Sequence, residues 1–136
     1  MRSIVALLVC VVSAATAAGG GWTNSGPEEA EIEAIAVSPR QSSLVIAAGK
    51  AAIFRSTDGG ESWTRVHRGG ILLNATLVRF DPRGDDVYVA FGEGLLHSSD
   101  GGKSWKPLSP SPGTYVTELI VDVPRDTIYV SSMDGL

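Results

Sequence analysis

An all-β fold, a propeller built from four-stranded blades, is predicted by three features of this 136-residue chain. A nine-residue pattern recurs at an offset of 42 residues, Arg55 to Trp63 and again His97 to Trp105. Apolar or alternating runs of a few residues are divided by turn residues, and no helical period occurs after the N-terminal segment. Four short strands in a repeat of about 40–50 residues are the signature of a propeller blade.

The first segment stands apart from the repeat. Arg2 supplies a positive start, and Ile4 to Val12 is apolar with only Cys10 interrupting it. Ser13 to Ala18 then offers small residues with an Ala15-Thr16-Ala17 pattern. This order is that of a secretory signal peptide, residues 1–18, cut after Ala17 or Ala18. A membrane anchor needs about 20 apolar residues, and Gly19-Gly20-Gly21 ends the run sooner. The expected location is secreted or extracytoplasmic, with no membrane span once the signal is removed. Cys10 is the chain's single cysteine, so the mature protein is expected to have neither disulfide nor thiol chemistry. Loss of Arg2 takes the formal charge from −4 to −5. That sign argues against nucleic acid or an anionic membrane as partner, since both call for a basic patch.

Residues 19–30 have two readings. Trp22-Thr23 precedes Trp63-Thr64 by 41 residues, close to the repeat period, which suits a lone outer strand that closes a ring of blades. Gly19-Gly20-Gly21 and Asn24-Ser25-Gly26-Pro27 suit a linker instead.

The repeating region covers residues 31–136, with blades over about 31–70 and 71–113 and a third from about 114. In the second blade, Thr76 to Phe80 is predicted as a strand, and Asp81-Pro82-Arg83-Gly84-Asp85 as a turn. Val87 to Phe91 follows, then a turn at Gly92-Glu93-Gly94, a strand over Leu95 to Ser98, and a last strand over Ser104 to Leu108. Upstream similarity keeps the same offset: Val45 with Val87, Ala48 with Ala90, Ile53 with Leu95. In the third unit, Leu119-Ile120-Val121-Asp122 aligns with Leu77-Val78-Arg79-Phe80, and Thr127-Ile128-Tyr129-Val130 with Asp86-Val87-Tyr88-Val89. A ring of six to eight such blades takes on the order of 250–340 residues, so the remaining blades are expected elsewhere in the same polypeptide.

The shared motif is Ser-x-Asp-Gly-Gly-x-Ser-Trp: Ser56, Asp58, Gly59, Gly60 and Trp63, then Ser98, Asp100, Gly101, Gly102 and Trp105. A carboxylate at this position can accept hydrogen bonds from the turn's own amides and fix a tight hairpin. The glycines permit positive φ, and the tryptophan can lay its ring on the blade with its N–H at a carbonyl. The motif resembles the Asp-box (BNR repeat) of sialidases, sortilin-type receptors, photosystem II assembly factors and xyloglucan-active glycoside hydrolases. The resemblance implies that the boxes sit on the blade periphery, so Asp58 and Asp100 are read as turn formers rather than catalytic groups.

Two function classes follow. The first is a non-catalytic binding or scaffold propeller for a protein or carbohydrate partner. The second is a glycoside hydrolase, sialidase-like or xyloglucanase-like, whose active-site residues lie mostly beyond the present C-terminus. Glycosidases need two carboxyl groups flanking the scissile bond, and a sialidase arginine triad grips a carboxylate. The resemblance implies a Phe/Tyr-Arg-Ile-Pro motif for the first of those arginines. Phe54-Arg55-Ser56-Thr57 departs from it and is explained as the strand leading into a box. Glu28-Glu29-Ala30-Glu31-Ile32-Glu33 reads as the approach to a strand with solvated glutamates. Asp81, Asp85 and Asp86 lack calcium-loop spacing and suit a turn. His67 and His97 lack partners at metal spacing, so no metal or cofactor is expected. Asn74-Ala75-Thr76 is a formal N-glycosylation sequon on the connection between the first two blades.

Overall fold

The computed structural model describes residues 3–8, 11–16, 23–28, 30–50, 52–68, 74–92, 94–108 and 115–133, with side chains placed from Asn24 onward. Strands β1 (Ser3–Leu8), β2 (Val11–Thr16) and β3 (Thr23–Asn24) form one antiparallel sheet in that order. The expected cleavage site, Cys10 and Trp22 lie outside the described residues.

Two four-stranded antiparallel sheets follow. The first blade is β4 (Ile32–Val37), β5 (Val45–Gly49), β6 (Ala52–Ser56) and β7 (Thr64–Arg68), hydrogen-bonded in sequence order. The second is β8 (Ala75–Phe80), β9 (Val87–Phe91), β10 (Gly94–Ser98) and β11 (Lys106–Pro107). The third sheet pairs β12 (Val116–Asp122) with β13 (Thr127–Ser132) across a single 3-10 turn, Val123–Arg125. Among the described residues no helix is long and apolar enough to cross a membrane.

Strand periodicity explains how the sheets stack. Successive side chains point to opposite faces, so a blade between two neighbours needs apolar residues on both. In β9, Val87 and Val89 pack in the cluster shared with the first blade, which contains Leu44, Ile46, Ala48 and Ile53. The alternate residues Tyr88 and Ala90 pack with Leu119 and Val116 of the third sheet. Ile46, Ile53, Val87 and Val89 are all fully buried, each worth about 1.5–3 kcal/mol of transfer free energy.

Two expectations are corrected. The last strand of the second blade is not Ser104 to Leu108 but only Lys106–Pro107. Pro107 has no N–H to donate, which limits pairing at this edge. The inner strand of the third sheet aligns one residue away from the expected register. Leu77 pairs with Ala90 and Val78 with Val89, whereas Glu118 pairs with Ser131 and Leu119 with Val130. Leu119 is thus the counterpart of Val78, not of Leu77. A one-residue slip exchanges the two faces of a strand, and Leu119, 1% exposed, lies against the second blade.

The innermost strands β4, β8 and β12 each carry a β-bulge at the equivalent place, between Ile32 and Ala34, Ala75 and Leu77, and Val116 and Glu118. The extra residues are Glu33, Thr76 and Thr117. Close backbone approach at the neighbouring hairpin requires Gly49, where a Cβ would collide with the Glu31 carbonyl oxygen.

Candidate functional site

The Ser-x-Asp-Gly-Gly-x-Ser-Trp hairpins link β6 to β7 and β10 to β11, and their two hydrogen-bond networks match. The Ser56 hydroxyl donates to Asp58 Oδ1 at 2.7 Å and accepts from Gly60 N at 2.8 Å. Asp58 Oδ1 also accepts from Ser62 N at 2.9 Å, and its second oxygen accepts from the Ser62 hydroxyl. In the second copy the Ser98 hydroxyl donates to Asp100 Oδ1 at 2.7 Å and accepts from Gly102 N at 2.9 Å. Asp100 further accepts from Lys103 N and Ser104 N at 2.9 Å and from the Ser104 hydroxyl at 2.5 Å. Bonds from Ser62 or Ser104, side chain first and then backbone, hold each carboxyl well below the ordinary carboxylate range. A carboxylate so engaged is a poor proton donor or acceptor.

The glycine pairs adopt positive φ: 76° and 95° at Gly59 and Gly60, 69° and 82° at Gly101 and Gly102. Gly102 also meets a packing limit, since a Cβ there would stand 2.5 Å from Ile46 Cδ1 of the preceding blade. Both tryptophans donate to the hairpin, Trp63 Nε1 to the Gly60 carbonyl at 3.0 Å and Trp105 Nε1 to the Gly102 carbonyl at 3.1 Å. Each hairpin rests on the first turn of its own blade, Gly59 N on Ser43 O at 2.9 Å and Gly101 N on Asp85 O at 3.0 Å. The hairpins and the β4–β5 and β8–β9 turns therefore share one face of the molecule.

Bonds between blades recur at about the repeat spacing, and sequence reasoning missed most of them. Glu33 Oε2 accepts from Ala75 N at 2.8 Å, and the Thr76 hydroxyl donates to Val116 O at 2.6 Å. Glu33 was expected to be solvated; the bulge turns it onto the next blade instead. Arg55 Nε reaches Gly101 O at 2.8 Å, and Arg40 reaches Arg83 O at 2.6 Å. Arg83 holds the buried Asp81 at 2.7 Å and Asp126 at 2.5 Å. Its hydrogen bond to Asp81 is the main reason that the Asp81 carboxyl is lowered and the Arg83 guanidinium raised. The only advance signal was the turn sequence around Asp81.

The other candidates are placed separately. Glu31 pairs with Lys50 at 2.7 Å on the surface. His97 Nε2 lies 2.6 Å from Asp86 Oδ1, and its ring stacks on Tyr88 at 4.8 Å between centroids. Burial lowers the His67 pKa, and His67 sits in β7, away from that pair in sequence and sheet. Among the described residues no group of three or more His, Cys, Asp or Glu side chains is placed to hold a metal. Asn74 is exposed immediately before β8. A groove of about 490 Å³ runs along the inner strands past Val37, Phe80, Arg79 and Glu118, the last two ion-paired at 2.9 Å.

No family model matches the chain. The xyloglucanase Xgh74A of Acetivibrio thermocellus is 31% identical to it, across 73% of this chain and 14% of that protein. Among solved structures, the GH74 enzyme of Niastella koreensis superposes with a TM-score of 0.71 at 21% identity, over 92% of this chain and 22% of that one. YCF48 from Cyanidioschyzon merolae superposes with a TM-score of 0.60 at 23% identity, over 80% and 36%. Both structures are propellers. The fold is a β-propeller. The described part of this propeller comprises two four-stranded blades and a two-stranded sheet stacked on the second. It spans about one seventh of the Acetivibrio relative, 14% of its length. A propeller at this level of likeness places its hairpins and inner strands without assigning a chemistry to them.

Proposed function

We propose that this chain is part of an exported Asp-box propeller that binds a protein or glycan partner without transforming it. The observation that carries the reading is the state of the carboxylates. Asp58 and Asp100 are consumed by their own hairpins, Glu33 by Ala75 N, and Glu118 by Arg79. Each of these four carboxylates is engaged by a main-chain or side-chain partner, whereas glycoside hydrolysis calls for two carboxyl groups flanking the scissile bond. The motif residues Ser56, Asp58, Gly59, Gly60 and Trp63, with Ser98, Asp100, Gly101, Gly102 and Trp105, act as hairpin staples. A second YCF48 structure is that of the protein bound to D1 peptide, which supports binding as a use of such a scaffold.

A second reading, a xyloglucan-active hydrolase, is favoured by the 31% identity to a xyloglucanase. Purified full-length protein incubated with xyloglucan and with sialosides separates the two. Binding with no release of reducing ends or sialic acid is expected; turnover at enzyme-like rates of about 1 s⁻¹ or more would replace the first reading by the second.

Export rests on residues 1–18 as a signal peptide. The expected N-terminus of the exported protein is Ala18 or Gly19, read by intact-mass analysis, and a retained Met1 would remove the assignment. Asn74, exposed at the foot of β8, is the proposed acceptor should the host glycosylate exported proteins.

A further inference from the structure

We infer that the turns closing the three inner hairpins form a second repeated device, a relay of arginines that fastens each blade to the next and makes the turns open as one unit. The turns are Ser38-Pro39-Arg40, Asp81-Pro82-Arg83 and Asp122-Val123-Pro124-Arg125. Strand register establishes the correspondence. Val37 pairs with Val45, Phe80 with Val87 and Val121 with Ile128, so the residues that follow, Ser38, Asp81 and Asp122, hold equivalent places. In each copy that side chain caps its turn. The Ser38 hydroxyl accepts from Arg40 N and Gln41 N, both at 3.3 Å. Asp81 Oδ1 accepts from Arg83 N at 2.8 Å, and Asp122 Oδ1 from Arg125 N at 3.4 Å. Proline presets each turn, and the third copy accommodates its extra Val123 as a 3-10 turn.

The first two arginines reach forward in chain order. Arg40 Nη1 donates to the Arg83 carbonyl at 2.6 Å, and Arg83 Nη1 donates to Asp126 Oδ1 at 2.5 Å. The other edge of the Arg83 guanidinium, Nε and Nη2, holds Asp81 at 3.0 and 2.7 Å. A planar fork with donors on two edges can bind its own capping carboxylate and the next blade together, which a lysine ammonium cannot do in fixed geometry. Asp126 is placed to receive it. Its φ of 50° closes the 3-10 turn in the left-handed region, and its N–H bonds Val123 O. Aspartate is among the few residues besides glycine that enter that region readily.

The second turn is the node of the relay. Its main chain accepts from the first blade at Arg83 O and from its own box hairpin at Asp85 O, where Gly101 N lies at 3.0 Å. Its side chain reaches the third sheet at Asp126. Asp81 is buried, and a buried carboxylate needs a partner such as Arg83. Opening this turn releases the contacts to both neighbours at once. Loss of one neighbour's contact, in turn, loosens the segment that the other neighbour grips, so local opening is shared across the three turns.

Double-mutant cycles on the full-length protein test this. Arg40→Met and Asp126→Ala remove the two ends of the relay and leave Asp81 paired with Arg83. Each alone is expected to speed hydrogen exchange several-fold in its own turn, in residues 81–86 and in the turn at the far end. Together they are expected to lower the melting temperature by less than the sum of the two single losses, because the second change removes a contact that the first has already loosened. Independent sites add instead. Arg40→Met combined with Thr76→Val is the additive control, since Thr76 binds Val116 at the other end of β12. Exchange changes confined to the mutated turn, or the same degree of additivity in both pairs, would overturn the relay. Partner binding enters neither readout, so the result stands apart from the proposed function.

Discussion

Asp58 and Asp100 each gather main-chain and hydroxyl donors from within a few residues, and their low pKa values follow from those bonds rather than from burial. Their charge is therefore coupled to folding. In the unfolded chain these carboxyls protonate near pH 3.9, whereas in the folded hairpin they remain ionised well below that. The stabilisation is complete above the unfolded value and is lost as pH falls from there through the folded one. Asp58→Asn and Asp100→Asn are expected to lower the melting temperature at neutral pH and to flatten its decline between about pH 4 and pH 2. Thermal melts across that range check it; an acid limb as steep as the parent's would show that other carboxyls control acid unfolding. The glycines beside these aspartates are equally local. Their left-handed φ values were legible in the sequence because only glycine adopts them without strain.

At the scale of elements, the inner strands are distinguished by their bulges. Each bulge adds a residue that the ladder cannot pair, and in two of the three the spare side chain binds main chain of the next blade. Thr76 is the sharper test, because its hydroxyl binds the Val116 carbonyl directly. Thr76→Val keeps the shape and removes the donor; the expected cost is about 1 kcal/mol, measured by urea denaturation. Thr76→Ser should retain most of the stability. If Val and Ser variants unfold at the same urea concentration, the bond does not couple the blades. This bulge was not legible in advance: the alternation around Ala75, Thr76 and Leu77 reads as an uninterrupted strand.

Across the whole molecule, stability comes from blade-to-blade contact, since each blade buries its alternate residues against a different neighbour. Ile46, with no exposed surface, faces the second blade. Ile46→Ala is expected to cost about 2–5 kcal/mol, whereas Ile120→Ala, at a site 57% exposed here, should cost far less in this chain. Comparable losses in chemical denaturation would mean that Ile120 is covered in solution.

The chain's own sequence determined the repeat period, the strand order within a blade and the chemistry of the Asp58 and Asp100 hairpins. Those features depend on residues close together in the chain, where glycine, serine and aspartate leave few backbone choices. Tertiary structure alone decided that Leu119 takes the place of Val78, that Glu33 caps Ala75 of the next blade, and that Ser25 lies on Trp63. Each depends on register or on contact across about forty residues. An alternating pattern shows that a strand has two faces, but only its packing against neighbouring sheets selects which neighbour each face meets.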